Sequence, residues 1–433
     1  MMRVFSSTEH DVDALINILR KRSGDEQQDV TQAVTEILDA VRTKGDEAVR
    51  YYTKKFDKAD LISFEVGKDD IKQAYDSLSF EMVSTIERAA ENIRKFHERQ
   101  TENSWFESSE NGILLGQKIT PLERAGVYVP GGTAPLPSSV LMNVIPAKVA
   151  GVKEIIMCTP PQNGGSPDLV ILACAYIAGV DRVFSVGGAQ AIAAMAYGTQ
   201  TIPSVDKVTG PGNIFVATAK KMVYGICDID MIAGPSEILI IADGAARPEY
   251  VAADLLSQAE HDVLASSILI SVSKDLIENV IAEIDRQKQK LPRKNFIDQS
   301  IKNYGAAILV GSLKEAVELS NMIAPEHLEL IVQDPFSLLG DVKNAGAIFL
   351  GEYTPEPLGD YMAGPNHILP TNGTARFFSP LTVNDFTKKS SIISYSKEAL
   401  MDISQDLVRF AQTEGLDAHA NSVKIRLERK RDE

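Results

Sequence analysis

The chain is short of several things, and each shortage narrows what it can do. It has three cysteines in 433 residues, Cys158, Cys174 and Cys227. Their number is odd and none stands in CxxC spacing, which argues against a disulfide framework and for buried thiols in a reducing, cytoplasmic setting. Positive charge is in deficit, with 44 Lys and Arg against 59 Asp and Glu and a formal net charge of -15. Binding to nucleic acid or to an anionic membrane is disfavoured by that balance. No apolar run reaches the ~20 residues that cross a bilayer; the longest, Leu169 to Val180, has the length of a core helix. The N-terminus, Met-Met-Arg-Val-Phe-Ser-Ser-Thr-Glu-His, lacks the apolar stretch of a secretory signal. Low-complexity segments and letter-by-letter repeats are missing too. With 44% hydrophobic residues, what remains is a large soluble chain able to bury cores in two or three domains.

From Asp11 to about Gln100 the pattern is helical. Val30, Val34, Ile37, Leu38 and Val41 recur at steps of three and four with charges opposite. Trp105 to Pro121 reads as extended, and from Gly126 short β-rich runs alternate with helical ones, the signature of parallel α/β units. The first block predicts strands at Gly126–Pro130, Glu154–Thr159, Arg182–Gly187 and Lys207–Thr209. The second predicts Glu237–Ala242, Ser267–Val272, Ala306–Val310, Leu328–Val332 and Ala347–Leu350. The fold class is therefore α/β, with two doubly wound domains, a helical N-terminal region and a helical tail. The expected limits are 1–125 for the lead-in, 126–236 and 237–370 for the two domains, and 371–433 for the tail. In the tail, helices are expected over Lys397–Thr413 and Leu416–Arg429. The basic end, Arg429-Lys-Arg-Asp-Glu, reads as a solvated helix C-terminus.

Histidine is also scarce, but four of the six, His261, His327, His367 and His419, fall in the last two fifths of the chain beside carboxylates or amides. The segments are Ser257-Gln-Ala-Glu-His-Asp, Ala324-Pro-Glu-His, Leu358-Gly-Asp-Tyr-Met-Ala-Gly-Pro-Asn-His and Glu414-Gly-Leu-Asp-Ala-His. Neutral imidazole and carboxylate hold borderline divalent metals and move protons near neutral pH, so a metal-assisted active site is expected. Gln258 and His261, three apart on a helix, address one point; a polar helix face is the plainer reading of that pair. Asp360 sits in a Gly- and Pro-marked loop after the last expected strand, either at a site or as an Asx-turn residue. Glu326 and His327 stand at a strand entrance, where adjacent bases can approach one substrate from two sides and serve two successive proton abstractions. Three Gly-rich turns follow expected strands: Val129-Pro-Gly-Gly-Thr, Val186-Gly-Gly-Ala-Gln and Val208-Thr-Gly-Pro-Gly-Asn. Each leads into a helix N-terminus that can receive an anion. None is GxGxxG with an acid ~20 residues on, so nucleotide binding and simple tight turns both stay open.

Taken in order from about Gly126 to His419, these segments, with Ala233-Gly-Pro-Ser-Glu, closely resemble the histidinol dehydrogenase family. The resemblance implies two incomplete Rossmann-like domains and a C-terminal tail exchanged across a homodimer. It implies one zinc per subunit held by Gln258, His261, Asp360 and His419. Substrate would be lined by Ser236, His327, Asp360 and Glu414, with His367 a further site residue, and by Gln258, His261 and His419 through the metal; NAD would be contacted by Tyr128, Gln190 and Asn213. The implied reaction is the four-electron, NAD-linked oxidation of L-histidinol through bound L-histidinal to L-histidine, the last step of histidine biosynthesis, with Glu326 and His327 catalytic. The nearer alternative is a related zinc and NAD enzyme acting on another hydroxyl, such as a sulfonated diol. A more distant one is a zinc hydrolase, which would carry a tighter motif such as HExxH; that motif is missing. No nucleic acid or membrane partner is expected.

Overall fold

Alternation along the strand Glu237–Ala242 shows how the second half is layered. Ile238, Ile240 and Ala242 point to one buried cluster, with the helices Pro248–Ala259, Lys274–Gln287 and Lys294–Tyr304. Leu239 and Ile241 point to another, with Leu313–Ile323 and the N-terminal helix Asp11–Lys21. A strand apolar on both faces belongs in a parallel sheet covered on both sides. Each such side chain contributes roughly 1.5–3 kcal/mol when withdrawn from water. The computed structural model describes the chain except residues 1, 8–10, 23–26, 110, 132–135, 163–164 and 428–433. Gly132 and Thr133 of the first Gly-rich turn, and the basic end of the chain, lie outside the described residues.

Residues 1–100 and 122–386 form one compact unit, and 101–121 with 387–433 form another. The larger unit holds two parallel sheets. In the first, the strands run Arg182–Ser185, Glu154–Thr159, Arg124–Tyr128, Lys207–Thr209 and Asp228–Ile229. In the second, they run Arg3–Ser6, Ala306–Leu309, Ser266–Ser271, Glu237–Ala242, His327–Ile331 and Ala347–Leu350. Numbered within each half, both follow the doubly wound order third, second, first, fourth, fifth, with Arg3–Ser6 added outside the second. The fold is α/β as expected.

The N-terminal helices divide between the halves. Val34, Ile37, Leu38 and Val41 of Gln27–Lys44 pack with Phe184 and the helix Gly188–Tyr197 on the first sheet, whereas Leu15, Ile16 and Leu19 pack on the second. The other face of the first sheet is covered by Phe80–Glu98, Pro137–Ala150 and Leu169–Ala178. The last of these starts where Asp168 accepts from the Val170 and Ile171 amides and stops at left-handed Gly179. All three cysteines are free and buried. No helix among the described residues is long and apolar enough to cross a membrane.

The smaller unit is an antiparallel sheet of Thr387–Tyr395, Ile113–Pro121 and Trp105–Ser108, in that order. Two helices follow, Lys397–Thr413, capped by Ser396, and Asp417–Leu427. The nine-residue strand Thr387–Tyr395 is a departure from the irregular stretch expected after Pro370. Its residues are exposed or half-buried throughout, so no apolar alternation marks it.

Candidate active site

In the first half, the residues of interest gather where the two central strands end. Tyr128 closes its strand, buried, with its phenolic oxygen accepting the Gly188 amide at 3.0 Å. Burial pushes its phenol up to about 12. Gln190, in the first turn of Gly188–Tyr197, is buried with both amide atoms unpartnered. Such a side chain is costly unless a ligand or water completes it. On the neighbouring strand's exit, Gly210 sits at φ 113°, and a Cβ there would lie 2.0 Å from the Tyr128 carbonyl oxygen. Only glycine permits that approach. Its amide donates to Asp230 Oδ2 at 2.8 Å, its carbonyl accepts from Lys220 Nζ at 2.9 Å, and Lys220 and Asp230 form a buried ion pair. Asn213, three residues on, caps the helix Ile214–Val223 through the Phe215 and Val216 amides. Sequence reading missed Asp57, at the end of Asp46–Asp57. Its Oδ2 is buried without a partner, burial pushes its carboxyl up to about 6, and it lies close enough to Tyr128 to act on the phenol.

In the second half, the residues gather at the opposite, amino ends of the strands. His327 opens its strand, and its Nδ1–H donates to the Glu237 carbonyl at 2.9 Å, which leaves Nε2 unpartnered and buried. Facing that nitrogen are Asp360 Oδ1 at 3.8 Å and Glu356 Oε1 at 3.9 Å. Glu326, just before the strand, accepts the Glu237 amide at 2.8 Å, and its Oε2 lies 3.6 Å from His327 Nδ1. The bent strand entrance thus turns both side chains to one place.

Asp360 is not on a loop at a strand's carboxyl end. It belongs to the short helix Glu356–Tyr361, which doubles back along His327–Ile331: the Glu356 amide donates to Glu329 at 2.8 Å, and Asp360 arrives beside His327. Gly359 lets this helix lie against Phe349, since a Cβ there would come within 2.6 Å of the ring. His367 Nδ1 is 3.1 Å from the Asp360 carbonyl oxygen and 3.9 Å from its carboxylate. Gln258, at the end of Pro248–Ala259, is fully buried with both amide atoms unpartnered, and the His261 amide bonds its carbonyl at 3.2 Å. Burial holds the His261 and His367 imidazoles below their ordinary range, against the pull of Asp360 on each. Ser236 is half-buried, just ahead of Glu237. Glu414 and His419 belong to the smaller unit, where both are exposed.

The sequence reading also missed Glu356 and Glu329, although Glu356 and Asp360 have the one-face spacing of a helix turn. Burial raises the carboxyls of Glu326, to about 8, and Glu356, to about 7. It opposes charge on both His327 and Asp360 as well, but the carboxylates led by Glu326 outweigh it on the imidazole, held at about 10. His327 and His367 outweigh it on Asp360, held at about 2. Carboxylates outnumber cations in this place. The donor atoms of His327, Glu356 and Asp360 lie within 4.8 Å of one another. That set suits a borderline divalent cation. Of the residues expected to hold zinc it contains Asp360 alone, with His261 near enough to feel the Asp360 charge and Gln258 ending in an orphaned buried amide.

The histidinol dehydrogenase family model matches residues 20–427. The chain belongs to the histidinol dehydrogenase family. Among relatives in that family, the histidinol dehydrogenase of Clostridium acetobutylicum is 54% identical over 426 residues, covering 98% of this chain and 99% of the relative. That of Geobacter sulfurreducens is 52% identical over 429 residues, covering 98% and 100%. The crystal structure of histidinol dehydrogenase from Elizabethkingia anophelis superposes with a TM-score of 0.93 at 38% identity over 98% of both chains. An acetylating aldehyde dehydrogenase from Geobacillus thermoglucosidasius shares the fold alone, at 13% identity and a TM-score of 0.50, over 89% of this chain and 96% of its own. As a member of the histidinol dehydrogenase family, the chain is an oxidoreductase.

Proposed function

We propose that the chain oxidises L-histidinol through bound L-histidinal to L-histidine, the last step of histidine biosynthesis, reducing two NAD per substrate. The observation that carries this reading is the pairing of Glu326 and His327 on the two backbone groups of one residue, Glu237, beside Asp360. Residues 126–236 would form the coenzyme domain, with Tyr128, Gln190 and Asn213 around the nucleotide at the strand ends. Residues 237–370 would carry the chemistry. His327 Nε2, its other nitrogen tied to the Glu237 carbonyl, takes the hydroxyl proton as the carbinol C–H electron pair leaves as hydride to the nicotinamide. The carboxylates that hold this imidazole at about 10 would be neutralised by a bound cation, which would free the nitrogen to act as base. Glu326 then takes a proton from a water that adds to the aldehyde carbon, while His327 returns its proton to the carbonyl oxygen and is free again. His327 deprotonates the resulting diol for the second hydride transfer. Ser236, His367 and Glu414 would position the substrate.

Gln258, His261, Asp360 and His419 would hold one zinc per subunit, supplying when bound a Lewis-acid centre that orients the substrate's imidazole and amino nitrogens. Residues 371–433 would be the tail exchanged between two copies, delivering Glu414 and His419 to the other subunit's site. Support for a homodimer comes from the apolar surface the smaller unit leaves open, with Phe106, Ile393 and Phe410 each about 70% exposed. The compartment we propose is the cytoplasm.

The deciding experiment counts NADH per L-histidinol consumed by the zinc-loaded protein with excess NAD. Two NADH and histidine as product are expected. No NADH would overturn the reading and send the search to another hydroxyl substrate or to hydrolysis.

A further inference from the structure

The two proposed bases hang on the backbone of a single residue, Glu237, and a third group fixes that residue. Glu237 donates its amide to Glu326 at 2.8 Å and accepts His327 Nδ1–H on its carbonyl at 2.9 Å. It opens its strand, paired with Ser266, where the ladder ends and the backbone has fewest restraints of its own. Its side chain is 7% exposed and forms an ion pair with Arg22, whose side chain is fully buried. The Asn372 amide donates to the same carboxylate at 3.1 Å. Arg22, just past the helix Asp11–Lys21, is itself held: Nε donates to the Leu19 carbonyl at 3.1 Å and Nη1 to the Leu264 carbonyl at 2.8 Å. The guanidinium also lies 5.6 Å from the Tyr304 ring centre. A fixed, forked cation anchored to two other segments sets where the Glu237 side chain, and therefore its peptide, can lie.

We propose that Arg22 and Glu237 are positioning residues for the dehydrogenation, Arg22 acting through Glu237 to keep Glu326 and His327 in register with the substrate. Neither touches the reacting atoms. The inference rests on the proposed roles of Glu326 and His327. A displacement of the Glu237 backbone moves both bases together, so both oxidations suffer at once. Pure stability is a weak reason for such a pair, because replacing a buried ion pair by apolar side chains is often neutral or stabilising.

The test measures kcat and KM separately for L-histidinol and L-histidinal, together with zinc content and thermal stability, in Arg22→Lys and in the double variant Arg22→Met with Glu237→Met. In the folded, zinc-loaded double variant, kcat for both substrates should fall on the order of 10- to 100-fold while KM stays within about twofold, as expected for lost alignment without lost binding. The isotope effect with carbinol-deuterated L-histidinol should rise as hydride transfer becomes limiting. Arg22→Lys, which keeps the charge without the fork, should lie between the double variant and wild type and serves if the double variant does not fold. Wild-type kcat in either folded variant overturns the proposal, as does a loss confined to one oxidation. Failure of wild type to oxidise L-histidinol would instead overturn the function itself.

Discussion

The two halves of the larger unit share a strand order, yet their polar residues gather at opposite ends: Tyr128, Gln190 and Asn213 at the carboxyl ends of the first sheet, Glu326, His327 and Gln258 at the amino ends of the second. In doubly wound sheets, helices begin where strands end, so the carboxyl side presents free amides and the positive ends of helix dipoles, which favours the phosphates of a dinucleotide. The amino side receives helix C-termini, with free carbonyls and negative potential. Gln258 and His261 stand where Pro248–Ala259 finishes, the better end for a cation. One winding thus offers two electrostatic environments, and which end is furnished with side chains decides what each half can hold. Both halves brace their site with a buried ion pair, Lys220–Asp230 on the Gly210 backbone and Arg22–Glu237 on the residue whose carbonyl holds His327.

If the ends are independent, removing the proposed zinc should separate them most sharply. A chelator is expected to abolish turnover while NAD affinity, read by equilibrium dialysis, changes little; parallel loss of NAD binding would show that the division is false. Next in size, His327→Asn should lower kcat on the order of 10²-fold or more with KM for NAD unchanged, and a near-normal initial rate would remove the base from this residue. Gln190→Leu should do the converse. KM for NAD is expected to rise about tenfold, equivalent to about 1.4 kcal/mol, with kcat nearly kept; a kcat effect larger than the KM effect would put chemistry in the first half.

The smallest effect concerns Asp57. Its carboxyl stands at about 6 in the fold against a usual 3.8, so the folded protein holds that proton more tightly than the unfolded chain. The resulting stability is present below about pH 4 and lost as pH rises through about 6. Asp57→Asn should therefore raise the melting temperature at pH 7.5 by roughly 1–3 °C, the group being only partly buried, and leave it unchanged near pH 4. Calorimetry showing an equal gain at both pH values would mean that ionisation is not the cause.

Much of the architecture could be read before folding was known, because glycine, proline and charged residues punctuate it. Glu154–Thr159, Glu237–Ala242 and Ala347–Leu350 are strands at the expected limits, and Lys397–Thr413 is a helix at its expected limits. Arg3–Ser6 and Thr387–Tyr395 escaped, the one too short for a period to show and the other without apolar alternation, its Ile392 and Ile393 being adjacent. Lys294–Tyr304 was also missed, lying behind a Pro in an interval read as connection. The segments around Gln258, Glu326 and Asp360 were legible because residue chemistry and tight punctuation coincide there. Arg22 was not. Its meaning lies in an ion pair spanning 215 residues, and no local pattern announces a partner so far away.

The pairing of Arg3–Ser6 with Ala306–Leu309 bears on the chain's birth. A strand made first must wait for a neighbour some three hundred residues later, roughly 15–60 s at ordinary translation speeds. The second half therefore cannot close until Ala306–Leu309 has been made, by which time the first has had time to form on the ribosome.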